Sequence, residues 1–562
     1  CLRDYFKGGG LCAMMSGYVR RLVAVTLLLA VVLTGQSALA AGSFSSLYPG
    51  NNDCADAYWF AEDMKAIGWV QDQYRTYSDA TPQRWLVDAV GSTMFYYSTH
   101  GYNVDNGYKW HTRYYEYNGD TTPYDRVYPS RIDAQNEGWT DYYDYIGDEW
   151  IYNDPTNGWL TNTKWSGTLR WGIIAACNQI ENHSLYTNDG ASKYGRTMLG
   201  NLRMHQLFGY HQGSPGDPTD VDIIRQFVFY ANDRPNTLQM AWHWANEDFG
   251  YGNNWSIVYH YDNRYDELNS PTLRTSRYSE PHIYFLNGTL YGNGELPIYD
   301  TSRIKSFLSR LLTLLGFNKS AFASAASVSA PVLIAKEYPV DIQLISREFG
   351  FDRLKTSRRV RFDGGVTLDA GDEALDVYDT GAVRYRKKRV SLGEPAGLSV
   401  HEAFDLAKRF VSVHGGLPGD AELQPIRIVQ NTRISLEEGV KDGNPEIVSY
   451  IFEWKHSYGG IPISGLGGDR IVVEVSKDGV IYFSRLWRKI EKVGATRQLI
   501  TQDKALELAR QHYPEIGDAK VTLVYHSRPF NRRQGIMLPA WEVRTKNNRL
   551  IYVDATDGSL IK

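Results

Sequence analysis

The sequence predicts an α/β layered sheet followed by an α+β repeat region. Two apolar runs carry the first part of that expectation: Met94 to Thr99 runs into His100-Gly101, and Trp171 to Ala176 runs into Cys177. Runs of this length read as buried strands. Two of them suggest neighbouring parallel strands whose carboxyl ends share one edge, where open α/β sheets place their ligands. The third observation is a strand, glycine turn and strand phrase that recurs three times beyond residue 335.

The chain has 562 residues, a formal net charge of -4 and 43% hydrophobic residues, which fits two to four ordinary domains. Residues 1–14 read as upstream or fragment residues. Residues 15–40 read as a signal peptide: Arg20-Arg21, then apolar Leu22 to Leu33, then the small-x-small signal Ala38-Leu39-Ala40. The expectation is general secretion to a periplasmic or extracellular location, with no membrane span after cleavage. Residues 41–300 carry 32 Asp and Glu against 17 Lys and Arg, and residues 301–562 carry 31 against 39. An acidic first half and a basic second half could dock on each other, or the acidic half could attract cationic substrates. The acidic half gives no support to nucleic-acid binding.

The first domain is expected over 43–300. Phe44 to Leu47 reads as a strand, and a helix near Asp53 carries Ala57, Phe60, Ala61, Met64 and Ile67 at helical spacing. Residues 102–165, rich in Tyr, Trp, Asp, Asn and Gly, read as a loop-rich insertion. Beyond Cys177 come a strand (Met204 to Tyr210), a helix (Asp220 to Ala231), a helical stretch with Leu238, Ala241, Trp242 and Ala245, and a strand (Trp255 to Tyr261). Alternation of strands and helices argues for a layered sheet. Residues 301–334 read as an amphipathic stretch and linker.

Within 335–562 the phrases Leu375 to Val383, Val472 to Ile481 and Leu550 to Ile561 repeat, each turning at a glycine. Two copies follow a similar helix: Ser399-Val400-His401-Glu402 is a capping box, and Thr501 opens the other. This helix-then-meander unit resembles the PepSY family and the propeptide modules of secreted metallopeptidases. Pro539-Ala540-Trp541-Glu542-Val543 and Tyr458-Gly459-Gly460-Ile461-Pro462-Ile463 strengthen that resemblance. It implies a region that inhibits or chaperones a peptidase, or acts in the envelope without catalysis.

The strand ends resemble the clan of caspase-, gingipain- and legumain-like cysteine peptidases, and more particularly an uncharacterised secreted caspase-like family. The matching features are Asn52-Asp53-Cys54, Thr99-His100-Gly101, Ala176-Cys177, the strand Leu202 to Tyr210, and Ala241-Trp242. The resemblance implies a caspase-like layered sheet, with Cys177 as nucleophile and His100 as general acid or base. The N–H groups of Gly101 and Cys177 would form the oxyanion hole. The proposed substrate is a peptide or protein, with a basic residue on the acyl side by charge. Two departures are the long His-to-Cys separation and the absence of Gly after Cys177, where Asn178, Gln179 and Ile180 follow.

Cys54 leaves alternatives open. The mature chain keeps only Cys54 and Cys177, and two cysteines outside the cytoplasm are by default one disulfide. A free catalytic thiol, a permanent Cys54–Cys177 disulfide and a redox-gated thiol all fit. The disulfide would make this a non-catalytic envelope or surface-binding protein with an aromatic groove, lined by residues such as Tyr114, Trp139, Trp150 and Trp159. No cofactor motif is present. His183, His205 and His211 match no zinc spacing, while Asn118-Gly119-Asp120 and Asn153-Asp154 are the stretches that could take calcium.

Overall fold

The computed structural model describes residues 43–48, 55–76, 92–98, 101–104, 107–111, 126–127, 148–154, 158–163, 169–180, 204–216, 218–233, 235–270, 283–291, 329–336, 340–390, 392–434, 443–513, 516–545 and 550–561. Within them the fold is mixed α/β, with large sheets and six α-helices.

The first half alternates β1 (Ser43–Tyr48), α1 (Ala55–Ala66), β2 (Val70–Thr76), β3 (Met94–Ser98), β4 (Trp171–Ala175), β5 (Gln206–Tyr210), α2 (Thr219–Ala231), α3 (Leu238–Asp248), β6 (Trp255–His260) and β7 (Ile283–Leu290). Their order in the sheet is β2-β1-β3-β4-β5-β6-β7. The pairs among the first five are parallel, and β6 runs antiparallel to both neighbours. Every residue of β3, β4 and β5 is buried, which is why they read as continuous apolar runs and not as alternating ones. β3 and β4 pack so closely that a Cβ on Gly172 would lie 2.3 Å from the Phe95 ring. The sequence expectations for α1, α2, α3, β5 and β6 match these elements within a few residues. The expected loop-rich insertion instead contains two small antiparallel sheets, one of Gly101–Val104, Gly107–His111 and Arg126–Val127, the other of Asp148–Asp154 and Gly158–Thr163.

The second half holds three units of one topology, a helix followed by a four-stranded antiparallel meander. The first is α4 (Ile342–Glu348) with β8 (Ser357–Val360), β9 (Val366–Asp369), β10 (Glu373–Val377) and β11 (Val383–Lys387). The second is α5 (Val400–Val413) with β12 (Arg427–Arg433), β13 (Glu446–Lys455), β14 (Arg470–Ser476) and β15 (Gly479–Leu486). The third is α6 (Gln502–His512) with β16 (Ala519–His526), β17 (Pro539–Thr545), β18 (Leu550–Asp554) and β19 (Leu560–Ile561). In each unit the last hairpin turns at a positive-φ glycine: Gly381 at 84°, Gly479 at 82° and Gly558 at 82°. The repeat seen in sequence is therefore this hairpin. The first copy also has its own helix, α4, where the sequence predicts helices only before the other two.

The first two units do not stand apart from the first half. β11 pairs with β15, and β12 pairs with β7 through seven residues, Tyr284↔Arg433 to Leu290↔Arg427. One 16-stranded sheet results, running β8-β9-β10-β11-β15-β14-β13-β12-β7 and on to β2, with Glu422–Leu423 beside β13. One face of its repeat portion is apolar and lies under α5, through Val400, Ala403, Phe404, Ala407 and Val411. The other face carries charge and meets α3, all eleven residues of which are buried.

At that seam Glu247 accepts two hydrogen bonds from Arg427, at 2.5 and 2.6 Å. Asp248 pairs with Arg384 at 2.8 Å and accepts from Tyr230 and Tyr482 at 2.7 and 2.5 Å. Asp233, beyond α2, meets Arg386 and Lys388, and His243 meets Glu474 at 2.8 Å. Burial alone would raise the Glu247 carboxyl, but Arg427 and Arg470 overcome it and hold it below its ordinary value. Burial dominates at Asp248, whose pKa is raised despite Arg384.

Candidate functional site

β3 and β4 pair in parallel from Met94↔Trp171 to Ser98↔Ala175. The chain therefore leaves both strands at the same edge, and two residues beyond the last pair stand positions 100 and 177. The strand order reverses between β1 and β3, the point where such sheets leave a crevice at their carboxyl ends. His100 and Cys54 lie outside the described residues, and Gly101 opens the short strand Gly101–Val104.

Cys177 is partly exposed and carries a free thiol. It begins a tight turn in which Asn178 takes φ 59°, a left-handed conformation uncommon for a residue other than glycine. The turn is tied to the segment after β5: Asn178 N–H donates to the Gln212 carbonyl at 3.0 Å, and Ile180 N–H donates to the Tyr210 carbonyl at 3.1 Å. The Gln179 side-chain amide donates to the Cys177 carbonyl at 3.2 Å. Ser214 closes on the sulfur from the same segment. Its N–H donates to Sγ at 3.3 Å, and its Oγ lies 3.2 Å from Sγ. That segment is held in turn by Asn254, whose side chain donates to the Gly213 carbonyl at 2.8 Å and whose carbonyl accepts from His211 N–H at 3.0 Å. A backbone N–H and a hydroxyl thus converge on the sulfur from one turn.

Below the turn lies a buried acid–tyrosine cluster. Asp56, in the first turn of α1, accepts from the Tyr96 hydroxyl. Asp220, in the first turn of α2, lies close enough to Tyr210 to oppose its ionisation, as do Asp56 and Cys177. Burial is the main reason that both tyrosines are pushed well above their ordinary range. His211 shares the Ser214 segment, but its Nδ1 is bonded to the Trp255 carbonyl and burial pushes its pKa down to about 4. Near neutral pH it is an uncharged imidazole engaged with backbone.

The other histidines and acids have different surroundings. His205 is bonded through Nδ1 to Asp266 at 2.6 Å, and the same carboxylate oxygen accepts from the Trp171 indole at 2.8 Å. This triad pins the start of β4 to the 261–270 segment. His183 and Asn118 to Asp120 lie outside the described residues, while Asn153 and Asp154 end the strand Asp148–Asp154. Among the described residues no three His, Cys, Asp or Glu side chains group as metal ligands, and no helix is long and apolar enough to cross a membrane. Of the aromatic residues expected to line a groove, Trp150 and Trp159 fall on the second hairpin of the insertion, while Tyr114 and Trp139 lie outside the described residues.

Ser214 and Asp56 are members of this edge that no sequence motif marks, while Asn178 and Asp220 are marked only as the residue after Cys177 and as a helix start. The available signal for Ser214 was its Gly213-Ser214-Pro215-Gly216 turn just past a strand end.

No family model matches the chain, and no curated protein matches it. Among solved structures the chain is similar to YycH from Bacillus subtilis, at 9% identity and a TM-score of 0.27, over 55% of this chain and 82% of that one. A likeness at that score carries no argument about fold or function.

Proposed function

We propose that the edge at Cys177 is the active site of a secreted cysteine peptidase of the caspase-, gingipain- and legumain-like kind. The observation that carries the reading is the in-register parallel pairing of β3 and β4, which run on into His100-Gly101 and Ala176-Cys177. It is supported by the free thiol and by the two Ser214 groups converging on Sγ. In this reading His100 takes the thiol proton as Cys177 Sγ attacks the scissile carbonyl carbon, while the N–H groups of Gly101 and Cys177 receive the developing oxyanion. The C–N bond then breaks as His100 delivers a proton to the leaving amine. Water, deprotonated by His100, attacks the thioester carbonyl and releases the acid, and the proton returns to sulfur. The acidic balance of residues 41–300, 32 Asp and Glu against 17 Lys and Arg, favours a cationic side chain on the acyl side, and residues 15–40 act as the secretory signal. The three helix-and-meander units, each with a positive-φ glycine in its last hairpin, support a PepSY-like character for residues 335–562.

The test is a panel of fluorogenic peptides with Arg, Lys, Asn or Asp on the acyl side, given to the parent, Cys177→Ala, His100→Ala and Cys54→Ala. The expected result is cleavage by the parent and Cys54→Ala and none by the other two. If neither parent nor Cys54→Ala cleaves any peptide, the reading fails. Finding no free thiol without reductant would favour the disulfide-bonded binding protein instead.

A further inference from the structure

The first two repeat units are built into the core of the first half, and Phe530 reaches it from the third. β12 extends the first half's sheet from β7 through seven residue pairs. A single buried apolar cluster contains Trp242, Trp244, Trp255 and Leu286 from the first half with Tyr378, Ile451, Tyr482 and Phe530 from the second. Trp244 stacks on Tyr482 with centroids 6.0 Å apart, and Phe249 meets Phe530 at 5.1 Å. Across the seam run the buried pairs of Glu247 with Arg427 and Asp248 with Arg384, and Arg470 donates to the carbonyls of Glu247 and Asp248 at the end of α3. Removing one side of such a seam strands the charges of the other and opens an apolar face.

We propose that residues 329–562, held to the first half through the first two units and Phe530, are a permanent part of the fold that supports the Cys177 edge, and not a prosegment that is released. The support is physical and local. Arg427 and Arg470 hold the end of α3. The chain turns there through Tyr251, whose N–H donates to the Asn246 carbonyl, to Asn254, whose N–H donates to the Tyr251 carbonyl. Asn254 grips the backbone of His211 and Gly213, beside the Ser214 that contacts Cys177. Deleting residues 335–562 would then remove the footing of the site, where an inhibitory module would leave the site freed. The claim about association stands whether or not the edge cleaves peptides; only its consequence for activity rests on the peptidase reading.

The experiment places a specific protease site within residues 319–328 of the full chain, in a Cys177→Ala background that excludes self-cleavage. After cutting, the two fragments are run by size exclusion at low salt and at about 1 M salt. Both fragments are expected in one peak at both salts, because buried ion pairs are screened far less than exposed ones. Separation of the fragments at either salt overturns the proposal. Arg427→Met in the same nicked protein leaves Glu247 buried without its partner, and its melting temperature is expected to fall clearly below that of the nicked parent. An unchanged melting temperature would remove the seam from the argument. The intact chain with Cys177 retained and Arg427→Met is expected to change the alkylation rate of Cys177, and an unchanged rate in a folded variant overturns the supporting role. Peptide cleavage enters none of these readouts, so they fail or hold independently of the peptidase reading.

Discussion

At the scale of the residue, Cys177 depends on a neighbour 37 positions away. Ser214 brings an N–H and a hydroxyl to Sγ, and only the hydroxyl can be removed by mutation. Ser214→Ala is expected to slow alkylation of Cys177 by iodoacetamide roughly five- to tenfold, the worth of one hydrogen bond to a group gaining charge. Ser214→Thr, which keeps the hydroxyl, is expected to restore most of the rate. Equal rates in all three proteins would assign Ser214 to packing alone. Arg427 makes the parallel case for stability. Its two bonds to Glu247 are buried, so Arg427→Met is expected to cost about 3–5 kcal/mol in urea unfolding, where loss of an exposed pair would cost under about 1 kcal/mol. Cys177 was legible in the sequence because a thiol at the end of an apolar run is conspicuous. Ser214 was not, because its role comes from a turn crossing that no local pattern encodes.

At the scale of the element, the repeat units separate what local sequence specifies from what packing imposes. The capping box at Ser399 and Glu402 and the Thr501 cap are both formed, as their spacing announced. Ser399→Ala is expected to cost about 1 kcal/mol. The shorter α4 escaped notice because it has only seven residues, although Ile342 and Ile345 stand at helical spacing and pack half-buried against the core. Two glycines distinguish backbone strain from steric overlap. A Cβ at Gly479 would meet nothing within 4 Å, whereas at Gly365, φ 114°, it would lie 2.3 Å from the Val377 carbonyl oxygen. Gly479→Ala is therefore expected to cost about 1 kcal/mol, from φ alone. Gly365→Ala is expected to cost clearly more, and equal losses in denaturation would contradict this account. α3 was legible as a helix, but its Gln239, His243, Asn246, Glu247 and Asp248 resemble a solvated face. Burial on all sides came from the sheet that closes over it.

At the scale of the whole molecule, buried titratable groups tie stability to pH. His211 and His526 have pKa values pushed down to about 4, chiefly by burial. Their unfolded values lie near 6.5, so the unfolded chain binds more protons between those limits. Stability is expected to fall as pH drops from about 6.5 to about 4. Burial alone would raise Glu453, but Lys455, Arg470 and Arg427 overcome it and hold the carboxyl to about 2. Its contribution is present above about 4.5 and is lost as pH falls toward 2. Urea midpoints measured from pH 7.5 down to 4 should decline, with the slope beginning near 6.5. A flat profile across that range would mean that these histidines are not buried as described.

The amino-acid sequence by itself determined the parallel strands that end near His100 and Cys177, the helices of the first half, two capped helices of the second, and the three glycine hairpins. Each depends on neighbours within one turn or one hairpin, where apolar period, caps and φ act locally. The sequence also carried the charge difference between the halves, but not its use. Only the tertiary structure decided that Arg384, Arg427 and Arg470 meet Asp248 and Glu247 across α3, that β7 and β12 join two halves into one sheet, and that Ser214 faces Cys177. Those contacts join residues 37 to more than 200 positions apart, and their free energy arises only once water is excluded from both partners together.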